Sequence, residues 1–351
     1  MRSVIITIFL SILIIQSVDA QRLYSNEFMN IGVGANSFAM GNATVAHIDD
    51  ITSGYWNPAG LAAQKTMLTA SLMHMPGFLN VVNHDYFALA YQLEKGKTVG
   101  LSLIRTAVDD IPGTNDLYDI NGNLDYDRIK KFSVADYGFL FSYAQQSKNE
   151  NFRYGANVKV IRRTVGDYAS AWGFGFDLGT QYQAGKWKLG AVARDVTSTF
   201  NAWSFNNEEL SITIADSTFN TSEASAIELT LPQVILGIAR NFDLGKDYEL
   251  LCEVNANLTF AGQRHTIISS DFANIDPNVG VQLGYKNTLF ARAGVNNIQE
   301  VTDFGTEEIS FIPNIGLGLH FKKLTIDYAL TNAANQAIGD FSHVFSLQFA
   351  I

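Results

Sequence analysis

YELLCEVNANLTF, residues 248–260, decides how this chain is read. Tyr248, Leu250, Cys252, Val254, Ala256, Leu258 and Phe260 fall at alternate positions, with Glu249, Glu253, Asn255 and Asn257 between them and Leu251 as the exception. Successive side chains of a strand point to opposite faces, so this segment has one apolar and one polar side. Residues 172–182 repeat the pattern: Trp172, Phe174, Phe176, Leu178 and Tyr182 alternate with Gly173, Gly175, Asp177, Gly179 and Gln181. In 275–286, Ile275, Val279, Val281, Leu283 and Tyr285 alternate with Asp276, Asn278, Gly280, Gln282, Gly284 and Lys286.

Fourteen such segments are expected, near 67–76, 83–92, 97–107, 136–146, 151–162, 172–183, 187–195, 231–241, 247–259, 275–286, 289–298, 308–321, 324–332 and 341–351. A soluble sandwich would alternate in the same way with its apolar side inward. The polar faces here carry Gly, Asn, Gln and charges of both signs, which suits a wet or plugged lumen. Aromatics open or close many apolar faces, as an interfacial girdle does (Tyr137, Tyr143, Tyr154, Trp172, Tyr182, Trp187, Tyr248, Tyr285). Connection lengths alternate as well. Short lysine-bearing turns at 93–97, 146–150, 184–186, 243–246, 286–288 and 322–323 alternate with longer connections, of which 108–135 and 196–230 are the longest. That parity is the mark of an outer-membrane barrel with both chain ends on the periplasmic side. The expected fold is all-β: a fourteen-stranded antiparallel transmembrane barrel over 67–351, preceded by a non-alternating segment. The closing strand FSHVFSLQFAI fits, although it ends on Ile351 rather than an aromatic residue, with Phe349 two before.

The first twenty residues read as an export signal: Arg2, an apolar run from Val4 to Ile15, then Ser17-Val18-Asp19-Ala20, with cleavage expected after Ala20. A single cysteine, Cys252, excludes an internal disulfide, and a net charge of -10 without a basic block excludes nucleic acid as a partner class.

Residues 21–66 are rich in Gly, Ala, Asn and Ser and end in DDITSGYWNPAGLA (49–62). FMNIGVGANSFAMGNATVAHIDDITSGYWNPAGLA, residues 28–62, resembles the N-terminal signature of the PorV/PorQ family, within the FadL-like outer-membrane barrels. Asn42 stands where that pattern has a second Gly after Met-Gly, and the arginine usual before this step is absent. The resemblance implies fourteen strands with the N-terminal segment folded inside the barrel as a hatch. Tyr55, Trp56, Asn57, Pro58 and Gly60 are its candidate plug residues: Pro58 fixes its own φ and pushes Asn57 toward extended geometry, which frees the Asn57 side chain to bond locally while the rings fill space.

Parity places Asp177, Lys188, Arg194, Glu249, Glu253, Arg292 and Asp327 on the lumen face, where they would hold a hatch or line a passage. Trp203 and Phe205, in the long connection 196–230, are the candidate partner-binding surface, because an apolar outer loop of that length needs a cover. Asp119, Asn121, Asn123 and Asp125 echo a calcium loop, but Gly122 is displaced and no bidentate Glu closes the site. His47, His74, His84, His265, His320 and His343 show no zinc spacing, and no nucleophile motif is present, so neither an enzyme nor a cofactor is expected.

Two functions compete, both carried by the resemblance, the first as the leading expectation and the second as the alternative. One is a component of type IX protein secretion or surface attachment, binding a translocon subunit or exported proteins with C-terminal sorting domains. The other is a FadL-like transporter of hydrophobic small molecules such as long-chain fatty acids. Mixed polar lumen faces lean against the second, since apolar pockets bind apolar ligands. Outer-membrane lipid would surround the barrel in either case.

Overall fold

The computed structural model describes residues 25–351 apart from 78–79, 115–116, 120–122, 215–216, 220–225, 261, 263–265, 304–305 and 333–340. The export signal, Asn121 and His265 therefore lie outside the described residues. Fourteen strands form the wall: β1 (Leu68–Gly77), β2 (Val82–Glu94), β3 (Lys97–Gly113), β4 (Lys130–Gln146), β5 (Phe152–Val165), β6 (Ala169–Ala184) and β7 (Trp187–Arg194). The second half is β8 (Gln233–Asp243), β9 (Tyr248–Thr259), β10 (Asn274–Tyr285), β11 (Leu289–Asp303), β12 (Thr306–Phe321), β13 (Leu324–Thr331) and β14 (Ser342–Ala350). Each pairs antiparallel with its neighbours in sequence, and β1 pairs with β14 from Thr69 opposite Ala350 to His74 opposite Phe345, which closes the barrel. Closure leaves no exposed strand edge.

The expected strand count holds, but several connections are shorter than expected. β5 and β6 are joined by 166–168 alone and β11 and β12 by 304–305, because both hairpins extend beyond the segments of clean alternation. Strands β3 and β4 run for 17 residues each. About 9–11 residues suffice to cross a bilayer, so these hairpins project past it, and there the outward face need not be apolar.

The connection 196–230 is corrected further: it is not simply a loop. Thr199–Phe205 is a strand that takes over from β7 as the partner of β6, with Phe174 opposite Phe200 and Ala169 opposite Phe205. Ile227–Thr230 pairs with it and leads into β8. The wall bends where β7 gives way, at Asp195 (φ 53°) and Ser198 (φ 57°), a left-handed backbone conformation that non-glycine residues rarely adopt.

The alternation orients the wall as expected. Outward are Leu178, Leu236, Val254, Leu283, Leu317, Phe345, Leu347 and Phe349, all exposed. Inward, one half of the barrel differs from the other. Met73, Met75, Tyr86, Ala88, Ile104, Leu140, Ile161 and Val344, from β14 and β1–β5, join a single apolar cluster with Phe28, Met29, Phe38, Ile51, Tyr55 and Trp56. From β6 to β12 the buried inward positions carry Asp177, Gln181, Arg194, Glu253, Asn255, Asn278, Arg292 and Asn314 beside Val192, Ile235, Ala239, Leu251 and Ile312. Polar residues are buried on the first half too, Ser71, His84, Ser102, Ser142, Asn157 and Lys159 among them, so the lumen face is mixed, as expected, with its apolar residues concentrated on β14 and β1–β5. Leu251, the exception in 248–260, packs with Met40, Ala46 and Ala239, and Val192 and Ile235 pack with Val45.

Candidate functional site

Residues 25–66 make no wall strand. They form a 3-10 turn (Glu27–Asn30), two short helices, α1 (Ala35–Ala39) and α2 (Ser53–Trp56), and a second 3-10 turn (Pro58–Ala63). Small residues permit this: Val33, Ala35, Ala39, Ala43 and Ala59 have no exposed surface. The segment packs on the inward face of the wall, with α1 against β12 and β13 and Pro58–Ala63 against β4 and β5. Inward wall glycines allow that approach. A Cβ on Gly155 would stand 2.6 Å from the Pro58 carbonyl carbon, and one on Gly316 would stand 2.5 Å from Ala39 Cβ.

Backbone groups placed off strands and long helices need partners, and polar residues all round the inward wall supply them. Asn157 Nδ2 donates to Gly54 O (2.8 Å), Gln181 Nε2 to Ile48 O (2.8 Å) and Val45 O (3.2 Å), and Asn255 Nδ2 to Asn42 O (3.2 Å). Acceptors serve the amides. Glu253 takes the N–H groups of Ala46 (2.8 Å) and His47 (3.1 Å), with His47 Nδ1 at 2.5 Å, and Ser346 Oγ takes Ala35 N–H (3.0 Å).

The YWNP stretch lies at the centre. Asn57 is extended (φ -154°, ψ 102°), as the following proline requires, and is fully buried. Its Nδ2 donates to Val45 O (2.9 Å) and to Thr180 O on β6 (3.0 Å), while its Oδ1 accepts Ala59 N–H (3.2 Å) and caps the second 3-10 turn. Tyr55 Oη donates to Met29 O (2.6 Å) and Trp56 Nε1 to Val33 O (2.8 Å), with their rings edge to face 4.8 Å apart. Arg194 reaches in from β7: its guanidinium lies 4.6 Å from the Tyr55 ring and donates to Tyr55 O (3.1 Å). Gly60 is required by close approach, since a Cβ there would stand 2.5 Å from Ser53 Oγ.

The lumen charges divide into three groups. Arg194 and Glu253 bind the segment. Arg292 and Asp327 pair with each other across β11 and β13 (2.6 Å), with Gln282 at 2.6 Å from Arg292 Nε, and Glu249 accepts from Asn241. Lys188 is half-buried. Asp177 belongs to a buried cluster, accepting from Lys159 Nζ (2.8 Å) and from Asp195 N–H (3.0 Å); Lys159 and Thr199 also reach Asp195. Beside it Met29, Asn30, Tyr55 and Leu140 leave about 10 Å³, room for about one water.

Sequence reasoning missed Lys159, Asp195, His84 and Asp50. Lys159 shares the inward parity of Asn157, so alternation alone marks it. His84 Nε2 lies 2.9 Å from Gly32 O and its Nδ1 2.8 Å from Thr106 Oγ1. Asp50 accepts from Asn36 Nδ2 (2.7 Å) and Thr52 N–H (2.7 Å). It is half-exposed within the barrel, and desolvation there raises its pKa above 3.8, with Asp49 adding to the rise and the Thr52 bonds opposing it.

Trp203 and Phe205 are not on a free loop. They lie half-buried in the added strand, stacked at 6.2 Å, with the Arg163 guanidinium 5.1 Å from the Trp203 ring. Arg163 has the inward parity of Lys159 and Ile161, so the Trp203 ring turns toward the barrel mouth. In the acidic connection, Asp119 accepts from the Asn123 backbone (2.8 Å) and side chain (3.1 Å), and Asp125 Oδ1 accepts Asp127 N–H (3.1 Å). These carboxylates cap turns, and the described residues hold no cluster of three metal-ligating side chains.

No family model matches the sequence, and no curated protein does. Solved structures match along nearly the whole chain. The CymD monoaromatic hydrocarbon channel superposes with a TM-score of 0.56 at 13% identity, over 92% of this chain and 98% of its own. The P. putida toluene transporter TodX gives 0.55 at 13%, over 91% and 99%, and a Pseudomonas aeruginosa FadL homologue gives 0.50 at 13%, over 90% and 97%. The chain has the fold of FadL-type channels. At this identity the likeness concerns the fold alone.

Proposed function

We propose that this protein is an outer-membrane channel for hydrophobic small molecules, closed in this state by residues 25–66 acting as a hatch. The observation that carries the reading is the apolar cluster on one half of the inward wall. Met73, Tyr86, Ile104, Leu140, Ile161 and Val344 of β14 and β1–β5 form an apolar patch on the inward wall, and the Phe28, Met29, Tyr55 and Trp56 side chains of the segment cover it. Apolar ligands need an apolar wall, and a wall that only anchored a plug through polar contacts would not need one. The neighbours' hydrocarbon and toluene transport supports the same reading. The exterior apolar face and strand lengths fit a bilayer, with both chain ends on the periplasmic side.

The secretion reading keeps one support, the PorV/PorQ-like signature in 28–62. Its most distinctive residues, Tyr55, Trp56 and Asn57, are buried, where an exported protein would not meet them. The test is extraction of the purified barrel, followed by mass spectrometry of both bound small molecules and co-purified proteins. Recovery of apolar molecules, depleted by Leu140→Asp, supports the channel. Recovery of a translocon subunit or exported proteins without apolar molecules overturns it in favour of secretion.

A further inference from the structure

The outward face of the wall is apolar on most strands, but one row breaks it. Reading across the register, His74 of β1 faces Asp85 of β2, Asp85 faces Arg105 of β3, Arg105 faces Tyr137 of β4, Tyr137 faces Arg162 of β5, and Arg162 faces Trp172 of β6. His74 Nδ1 lies 2.7 Å from Asp85, and Arg105 bridges Asp85 (3.5 Å) and Asp109 (3.3 Å). The Arg162 guanidinium lies 4.9 Å from the Trp172 ring and donates to Ala171 O (3.5 Å), both on β6.

Depth alone does not account for the row. Counted from the short-turn ends, Arg105 is the ninth residue of β3, Asp85 the tenth of β2 and Arg162 the eleventh of β5. About 9–11 residues cross the hydrocarbon, so these groups sit at its far boundary, where a charge costs little. At the same depth on the other side, the outward positions are Ala256 and Leu258 of β9, Pro277 and Ile275 of β10, and Pro313 and Phe311 of β12. The charges are confined to one sector.

A groove of about 500 Å³ opens in that sector. Its lining is ordered by depth: Leu72, Phe87, Leu103 and Leu347 on the short-turn side, then His74, Asp85 and Arg105 beyond. We propose that the groove seats an acyl chain of one membrane lipid, whose headgroup phosphate is held by Arg105 and Arg162 on either side of Tyr137. Those two arginines stand two strand spacings apart, about 10 Å; Arg162 leans on Trp172 and Arg105 on Asp85, so holding the phosphate requires both side chains to swing toward Tyr137. Asp85 and Asp109 orient Arg105, while the charge of Arg162 is left for the anion. Guanidinium groups recognise phosphate by paired donors, and basic pockets at the bilayer boundary bind headgroups in this way.

Native mass spectrometry of the full-length barrel, with heat-modified gel migration as the folding check, tests this. The probes are phosphatidylglycerol, a phosphate-free galactolipid with the same chains, and inorganic phosphate alone. We expect one phosphatidylglycerol to be retained about tenfold better than the galactolipid, with inorganic phosphate leaving no adduct. Arg162→Gln and Arg105→Gln should each reduce retention severalfold, Leu103→Trp should block the groove, and Arg240→Gln near the short turns should change nothing. Equal retention of the galactolipid, phosphate binding without a tail, or full retention by folded R105Q and R162Q barrels overturns the proposal.

Discussion

Asn57 makes three hydrogen bonds with one amide: it caps the following turn, ties the segment to Val45 and ties it to Thr180 on the wall. Asn57→Ala removes those bonds from a fully buried position. It should cost about 1–3 kcal/mol, seen as a lower unfolding midpoint and faster proteolysis of residues 25–66. Asp50 gives a pH signature. Its pKa is raised above 3.8, so between 3.8 and that raised value the folded state binds more protons than the unfolded one. Its contribution to stability therefore falls as pH rises through that window, and the cost of the buried charge is present in full above it. Asp50→Asn should raise the unfolding midpoint at neutral pH and flatten the midpoint's decline over that window; an unchanged profile would show that Asp50 is not desolvated. At this scale the sequence was informative where one residue constrains the next, as Pro58 constrains Asn57. It was silent on the bonds of Asp50 to Asn36 and of His84 to Gly32, which span 14 and 52 residues.

Among elements, the wall was legible and its edges were not. Alternation marks a strand only while one face is apolar, so β5, β6, β11 and β12 were cut short where their hairpins leave the bilayer. The added strand Thr199–Phe205 was hidden for a different reason: the chain bends at 195–198 and changes partner, and periodicity carries no record of pairing. Lys159, Asp177 and Asp195 meet at that bend. Lys159→Ala would leave two carboxylates buried without their cation and should cost about 3–5 kcal/mol. Lys159→Arg should recover much of this, with unfolding midpoints as the readout. The wall glycines act at the same scale. Gly155→Leu would drive a side chain into Pro58, so it should release the segment to protease while leaving the barrel's heat-modified migration intact. Protection equal to the native chain would contradict the packing described.

Across the whole molecule, parity of strands and turns was enough for a closed barrel, because a one-residue shift in facing would expose every polar group to lipid. The apolar cluster inside the barrel was not legible. Inward residues of β1–β5 mix Ser, Thr and Gly with Met, Tyr, Ile and Leu, and only closure brings the apolar ones onto one surface shared with the N-terminal segment. That surface turns a plugged barrel into a candidate conduit, which requires the segment to move. The measurement that tests this most directly is uptake of a radiolabelled aromatic hydrocarbon by cells whose barrel carries Ala46→Cys, Gly237→Cys and Cys252→Ser. A Cβ built on Gly237 lies 3.3 Å from Ala46 Cβ, close to disulfide range once the Asn255 side chain yields. We expect uptake above the empty-vector rate when the pair is reduced, and uptake at that rate when it is oxidised. Uptake indifferent to the crosslink, or none from a folded, reduced barrel, would contradict a hatch-gated channel.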